Sequence, residues 1–155
     1  MVLDIPGGLF GQGDVRETAT TDTSGLFGTV WTCVGTAFDA TNPDTDQVKK
    51  DDQEGKIVAE ADGITFTISI SLPHGAVVTK VVVYGNAAAS AETWGLWRDD
   101  IDTINSEKLA GANINTEDTS ISFATIDNNN KRYNLGTSTL DTNDAIYSVR
   151  ITYTI

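Results

Sequence analysis

This chain of 155 residues is short of most of the side chains that chemistry requires. Cys33 is its one cysteine, so no disulfide can form within the chain and packing alone must hold the fold. Its setting, Val30-Trp31-Thr32-Cys33-Val34, marks it as a small buried hydrophobe. His74 is the one histidine, which excludes zinc sites built from several His or Cys ligands. A hydrolase triad would need that imidazole beside a nucleophile, and the chain has no Gly-x-Ser-x-Gly elbow. Between Pro73 and Gly75, His74 reads as a turn residue. No phosphate-binding loop is present either, since Gly11-Gln12-Gly13 precedes no helical pattern. No run approaches the roughly 20 apolar residues of a membrane span. The start, Met1-Val2-Leu3-Asp4-Ile5-Pro6-Gly7-Gly8, lacks the basic segment and apolar stretch of a signal peptide. Use in the cytoplasm, or assembly there before release, is therefore expected.

Basic charge is scarce too. Ten Lys and Arg stand against 22 Asp and Glu, a formal charge of −12 that opposes nucleic acid and anionic membranes as partners. The same charge keeps a β-rich surface soluble and discourages edge-to-edge pairing.

What the chain has in quantity is alternation. In residues 64–72, Ile64, Phe66, Ile68, Ile70 and Leu72 alternate with Thr65, Thr67, Ser69 and Ser71, the period of a strand with one wet face. The last segment repeats it, with Tyr147, Val149, Ile151, Tyr153 and Ile155 between polar residues. Turn signals separate further strands at about residues 29–38, 56–61, 77–84, 93–98, 120–126 and 132–135, and 106–115 reads as a strand or one helical turn. Asp62-Gly63 suits a tight hairpin between 56–61 and 64–72, and 39–55 reads as a polar loop. The pattern predicts an all-β fold: a single antiparallel β-sandwich, jelly-roll-like, over residues 28–155.

Residues 1–27 differ in composition. Glycines and threonines dominate, and Leu9-Phe10-Gly11 recurs as Leu26-Phe27-Gly28. Such a segment cannot build its own core and reads as an extended N-terminal arm anchored by Leu9, Phe10, Leu26 and Phe27. Two body strands are apolar on both faces: Val81, Val82, Val83 and Tyr84, and Trp94 and Leu96 against Trp97. A sheet in a sandwich has one inner face, so Val82, Tyr84 and Trp97 are expected at an interface with an arm, a loop or a second subunit.

Three acidic loops, Asp44-Thr45-Asp46, Asp99-Asp100-Ile101-Asp102 and Asp141-Thr142-Asn143-Asp144, have the oxygen donors that calcium takes, without the spacing of an EF-hand. Asp and Asn also serve turns through their own backbone bonds, so no metal or other cofactor is expected. Trp31, Trp94 and Trp97 are candidates for a sugar platform as well as for core packing.

Leu72-Pro73-His74-Gly75 with the strand that follows, Trp94-Gly95-Leu96-Trp97-Arg98, Ser122-Phe123-Ala124-Thr125-Ile126-Asp127-Asn128, and Tyr147-Ser148-Val149-Arg150-Ile151-Thr152-Tyr153 resemble a β-sandwich module of phage and other virion proteins and of some secreted bacterial proteins. In those modules a Leu-Pro turn precedes a strand, a short strand ends in arginine, and a Tyr-x-x-Arg-Ile-x-Tyr strand closes the chain. The resemblance covers residues 64–155, and its motifs are structural, so it transfers no catalytic residue. Nor does it identify a function; the missing signal peptide, the glycine-rich arm, the doubly apolar strands and the missing active site together point to a non-enzymatic virion structural protein: a capsid decoration protein, a small capsid or vertex jelly roll, or a fibre component. Its partners would be copies of itself or other virion proteins, after assembly in a host cytoplasm. The alternative is a carbohydrate-binding β-sandwich module, with or without calcium, whose partner is a glycan.

Overall fold

The computed structural model describes residues 29–155, so the arm and its Leu9, Phe10, Leu26 and Phe27 lie outside the described residues. The strands are β1 (Thr29–Val34), β2 (Asp39–Ala40), β3 (Val48–Asp51), β4 (Lys56–Ala59), β5 (Phe66–Ile70), β6 (Val77–Gly85), β7 (Thr93–Asp100), β8 (Ser106–Asn113), β9 (Lys131–Thr137) and β10 (Ala145–Thr154). They form two five-stranded antiparallel sheets, packed as the expected jelly-roll-like sandwich. In the first sheet β10 is central. It pairs with β6 along one edge; along the other it pairs with β1 and, at its start, with β4, which carries β3 outside it. The second sheet runs β2-β5-β9-β7-β8.

The core lies between the sheets and follows the period of two. Phe66 and Ile70 of β5, Trp94 and Leu96 of β7, and Tyr133 and Leu135 of β9 meet Val81 and Val83 of β6 and Val149 and Ile151 of β10. Each such side chain contributes roughly 1.5–3 kcal/mol on burial.

Several local expectations change. Residues 56–61 and 64–72 do not form a hairpin. β4 pairs with β3 across Asp52-Gln53-Glu54-Gly55, with Gly55 at φ 67°, while β5 belongs to the opposite sheet. Asp62-Gly63 is instead a crossover turn, with Gly63 at φ 84° and the Asp62 carboxylate accepting bonds from the Thr142 amide and hydroxyl. Part of the expected polar loop 39–55 is therefore strand β3. Residues 120–126 are not a strand, although Thr125 bridges to Val77. The closing alternation also breaks: the ladder between β10 and β6 shifts register between Ile146 and Ser148, so Ile146 is buried and Tyr147 is exposed.

At one end of the second sheet the Arg98 guanidinium bonds Glu107 at 2.7 and 2.8 Å, and the Lys131 amine bridges Asp100 and Glu107. The bond from Lys131, with those from Asn105 and Thr103, holds the Asp100 carboxyl below the usual carboxylate range. The Asp62 carboxyl is held down by Thr142, and Asp127 by Asn130 and neighbouring amides.

Two predictions follow from this packing. Ile151→Ala should lower the unfolding free energy by about 2–5 kcal/mol, while Arg150→Ala, on the exposed side of the same strand, should change it by no more than about 0.5 kcal/mol in urea melts. Because the three Asp carboxyls have folded values below their unfolded ones, their contribution is complete above the unfolded value near 3.9 and is lost as pH falls through the folded values. Lys131→Gln removes the main cause at Asp100, so its stability should fall less steeply than that of the parent chain as pH drops below about 4.

Candidate functional site

The outer face of the second sheet is where this chain departs from a plain solvated surface. Trp94 and Leu96 point into the core, so the period of two sends Gly95, Trp97 and Asp99 outward from β7. By the same rule β9 presents Arg132, Asn134 and Gly136, and β5 presents Thr67 and Ser69. On β8 a register shift opposite Leu96 and Trp97 leaves both Lys108 and Gly111 outward.

The pairing arranges these residues in rows. Thr67, Gly136, Gly95 and Gly111 form one row across four strands, and Ser69, Asn134, Trp97 and Lys108 form the next. Arg132, Asp99 and Ser106 form a third. Three adjacent glycines form a trough; the Trp97 indole lies in it over Gly95 and beside Gly136, and the Lys108 side chain lies across Gly111. A methyl group on Gly95 would overlap Cη2, Cζ3 and Cζ2 of the Trp97 ring, and one on Gly136 would sit 3.9 Å from Cζ3. The Lys108 amine stands 5.7 Å from the ring centroid.

Asp99 is 6% exposed, and its charge is met from three sides. Ser106 donates its hydroxyl to one carboxylate oxygen; Asn134 Nδ2 donates to the other at 2.6 Å, with Arg132 Nε 3.8 Å away. The buried carboxylate thus fixes Asn134 and orients Arg132. An open hollow of about 460 Å³ adjoins this row, lined by Ser69, Ser71, Asp99, Arg132 and Asn134 among others. A second, of about 420 Å³, contains Trp31, Asp39 and Thr67 and shares Ser69 with the first. Trp31, on β1, is partly buried and packs against the core at this edge.

The other candidates go elsewhere. Trp94 is a core residue whose indole N–H donates to the carbonyls of Asn113 and Thr116. Val82 is 3% exposed and Tyr84 half-buried, and both lie on the outer side of β6, on the opposite face of the sandwich from Trp97. The three are not brought together. The acidic loops use their carboxylates locally: Asp46 accepts from the Asn42 amide, Asp144 from the Asp141 amide, and Asp100 from Thr103, Asn105 and Lys131. Among the described residues no three His, Cys, Asp or Glu side chains are grouped to hold a metal ion. His74 accepts from the Asn128 amide through Nδ1 at 3.1 Å and ties two turns together.

Sequence reasoning singled out Trp97, as an interface residue under an arm, a loop or a second subunit and as a candidate sugar platform, and weighed Asp99 as a loop carboxylate for calcium, an acid pair or a turn. Ser69, Lys108, Arg132 and Asn134 were missed. The signal for Arg132 and Asn134 was their alternation with Tyr133 and Leu135, which marks them as outward neighbours on one strand.

No family model and no curated protein matches the chain. Among solved structures it is similar to the C-terminal CBM6 of LamC, a marine laminarinase from Zobellia galactanivorans, with 12% identity, a TM-score of 0.50, and coverage of 80% of this chain and 99% of that one. It is also similar to the xylan-binding module CBM15, with 16% identity, a TM-score of 0.45, and coverage of 81% and 96%. A family two carbohydrate esterase from Cellvibrio japonicus shows 8% identity and a TM-score of 0.40 over 82% of this chain, which spans about a third (34%) of that protein. The expectation of a virion, capsid or phage structural protein is corrected by the first of these, since the β-sandwich on which it rested is the fold of the laminarinase CBM6.

The trough gives a direct test of how Trp97 is held. Gly95→Ala should displace the indole, seen as a shift in tryptophan emission, while the β circular dichroism spectrum is retained.

Proposed function

We propose that this domain is a carbohydrate-binding module without catalytic activity of its own, and that it binds glycan on the outer face of the second sheet. The observation that carries the reading is the Trp97 indole lying flat along the glycine row beside Asn134, Arg132 and Ser69. A pyranose has apolar C–H faces and a rim of hydroxyls. An indole supplies a flat apolar surface for the first, and fixed donors and acceptors beside it suit the second. Asn134 has its amide N–H committed to Asp99, which leaves its carbonyl oxygen as an acceptor of known direction. Arg132 and the Ser69 hydroxyl add donors along the rim of the hollow. The shared fold with the laminarinase module supports a carbohydrate-binding role, and the choice of face rests on the residues themselves.

Strand spacing sets the reach. Ser69, Asn134 and Trp97 lie on three adjacent strands, so the row spans about 10 Å, more than one sugar ring. The expected ligand is therefore a chain rather than a monosaccharide.

Affinity electrophoresis against a panel of soluble polysaccharides, followed by calorimetry on those that retard the protein, tests the reading. At least one should bind, and Trp97→Ala should weaken it about 30-fold or more, the loss of roughly 2 kcal/mol expected of an aromatic anchor. No retardation by any polysaccharide, or binding that Trp97→Ala leaves unchanged, would overturn it.

A further inference from the structure

A chain with a formal charge of −12 repels anions in general, so the places where it leaves cations unspent are informative. Most of its described basic side chains are committed to carboxylates: Lys50 to Asp39, Lys56 to Glu54, Lys80 to Glu117, and Arg98 and Lys131 to Glu107 and Asp100. Lys49 and Arg150, on the first sheet, also make no ion pair among the described residues, and on the second sheet the uncommitted cations lie on the glycan face. Lys108 makes no ion pair among the described residues and stands beside the Trp97 ring. Arg132 reaches Asp99 through Nε alone, at 3.8 Å, and its side chain is 58% exposed at the hollow. The two carboxylates on the face do not balance them, since Asp99 is enclosed by Ser106 and Asn134 and Asp39 at the far edge is paired with Lys50 at 2.7 Å.

A neutral sugar needs hydroxyl partners, which Asn134 and Ser69 supply. It does not need two cations flanking the stacking ring. We infer that the glycan taken by this face is anionic, a polysaccharide carrying carboxylate or sulfate groups, with Trp97 under one ring and Arg132 and Lys108 meeting charges on either side. This rests on the proposed glycan-binding reading. Arg132 opposes Asp99 and Lys108 opposes Trp97, so two strand spacings and one two-residue step separate them, about 12 Å between Cα atoms. That separation suits charges on different sugars of one chain. A guanidinium offers paired donors to a planar carboxylate or a sulfate, and the lysine acts as a point charge.

The full chain would be tested by affinity electrophoresis and calorimetry against polygalacturonate as the carboxylate probe, a carrageenan as the sulfate probe, and a β-glucan and a xylan as neutral probes, at low and high salt. One anionic probe should bind at least about tenfold more tightly than either neutral one, and which probe it is identifies the charged group. Added salt should weaken it, and Lys108→Gln and Arg132→Gln should each weaken it about tenfold, the usual loss for a charged hydrogen bond, while leaving the β spectrum unchanged. Preference for a neutral probe, insensitive to salt and to both glutamine variants but lost in Trp97→Ala, would overturn the anionic inference and leave the glycan site standing. Binding of no probe, or anionic binding that none of the three variants alters, would overturn both.

Discussion

The ladder between β10 and its neighbours is the interaction on which the rest of this structure depends. One strand pairs with β6 along one edge and with β1 and β4 along the other, so the backbone groups of residues 145–154 organise every strand of the first sheet except β3, which follows β4. Its inward side chains, Ile146, Val149, Ile151 and Tyr153, are buried against the opposite sheet. Register is therefore set twice, by the hydrogen bonds and by the burial pattern, and a slip of one residue would turn those side chains to solvent. The shift at Tyr147 shows how the constraint is kept: the extra residue goes to the exposed side so that Ile146 and Val149 can both face the core.

The second sheet follows the same logic with a different product. In β7, Trp94 and Leu96 complete the core and the residues between and after them, Gly95, Trp97 and Asp99, are left to face out. Pairing to β8 and β9 then determines what lies beside each of them. Gly95 meets Gly136 and Gly111, which opens the trough; Trp97 meets Asn134 and Lys108; Asp99 meets Arg132 and Ser106. The face is thus a by-product of strand register, and its composition is read from three separate segments of the chain that only the pairing brings together.

That difference explains what was legible in the sequence. Strand existence and the sandwich itself could be read because alternation is local: residues 64–72 show their core face without any knowledge of their partners. Pairing could not. The turn chemistry of Asp62-Gly63 is correct for its backbone, with Gly63 in the left-handed region, but a tight turn does not say whether the chain re-enters the same sheet or crosses to the other. The hairpin expectation failed there, because β4 found β3 and β10 while β5 found β9 and β2. Trp97 was visible as an aromatic on the wrong side of its strand, and an interface was the general explanation. Its actual neighbours include Gly136, and Lys108 lies across Gly111; neither glycine carries a periodic signal, so the trough existed only once β8 and β9 were placed beside β7.

Placing the proposed recognition surface on the middle of a sheet has an energetic consequence. β7 is hydrogen-bonded on both sides, and the Trp97 ring is seated against the backbone of Gly95 with the Lys108 amine 5.7 Å from its centroid. Asn134 is fixed by Asp99, itself fixed by Ser106. These groups lose little freedom when a ligand arrives, and side-chain ordering otherwise costs about 0.5–1.5 kcal/mol for each immobilised group. The buried carboxylate of Asp99 belongs to this economy of motion rather than to ligand contact: by holding Asn134 and drawing in Arg132 Nε, it spends a desolvated charge on orientation and leaves the outward donors of Arg132 free. A shallow face with few contacts can then bind through the few that are rigidly held, which is how a sheet without a deep pocket would serve the proposed recognition.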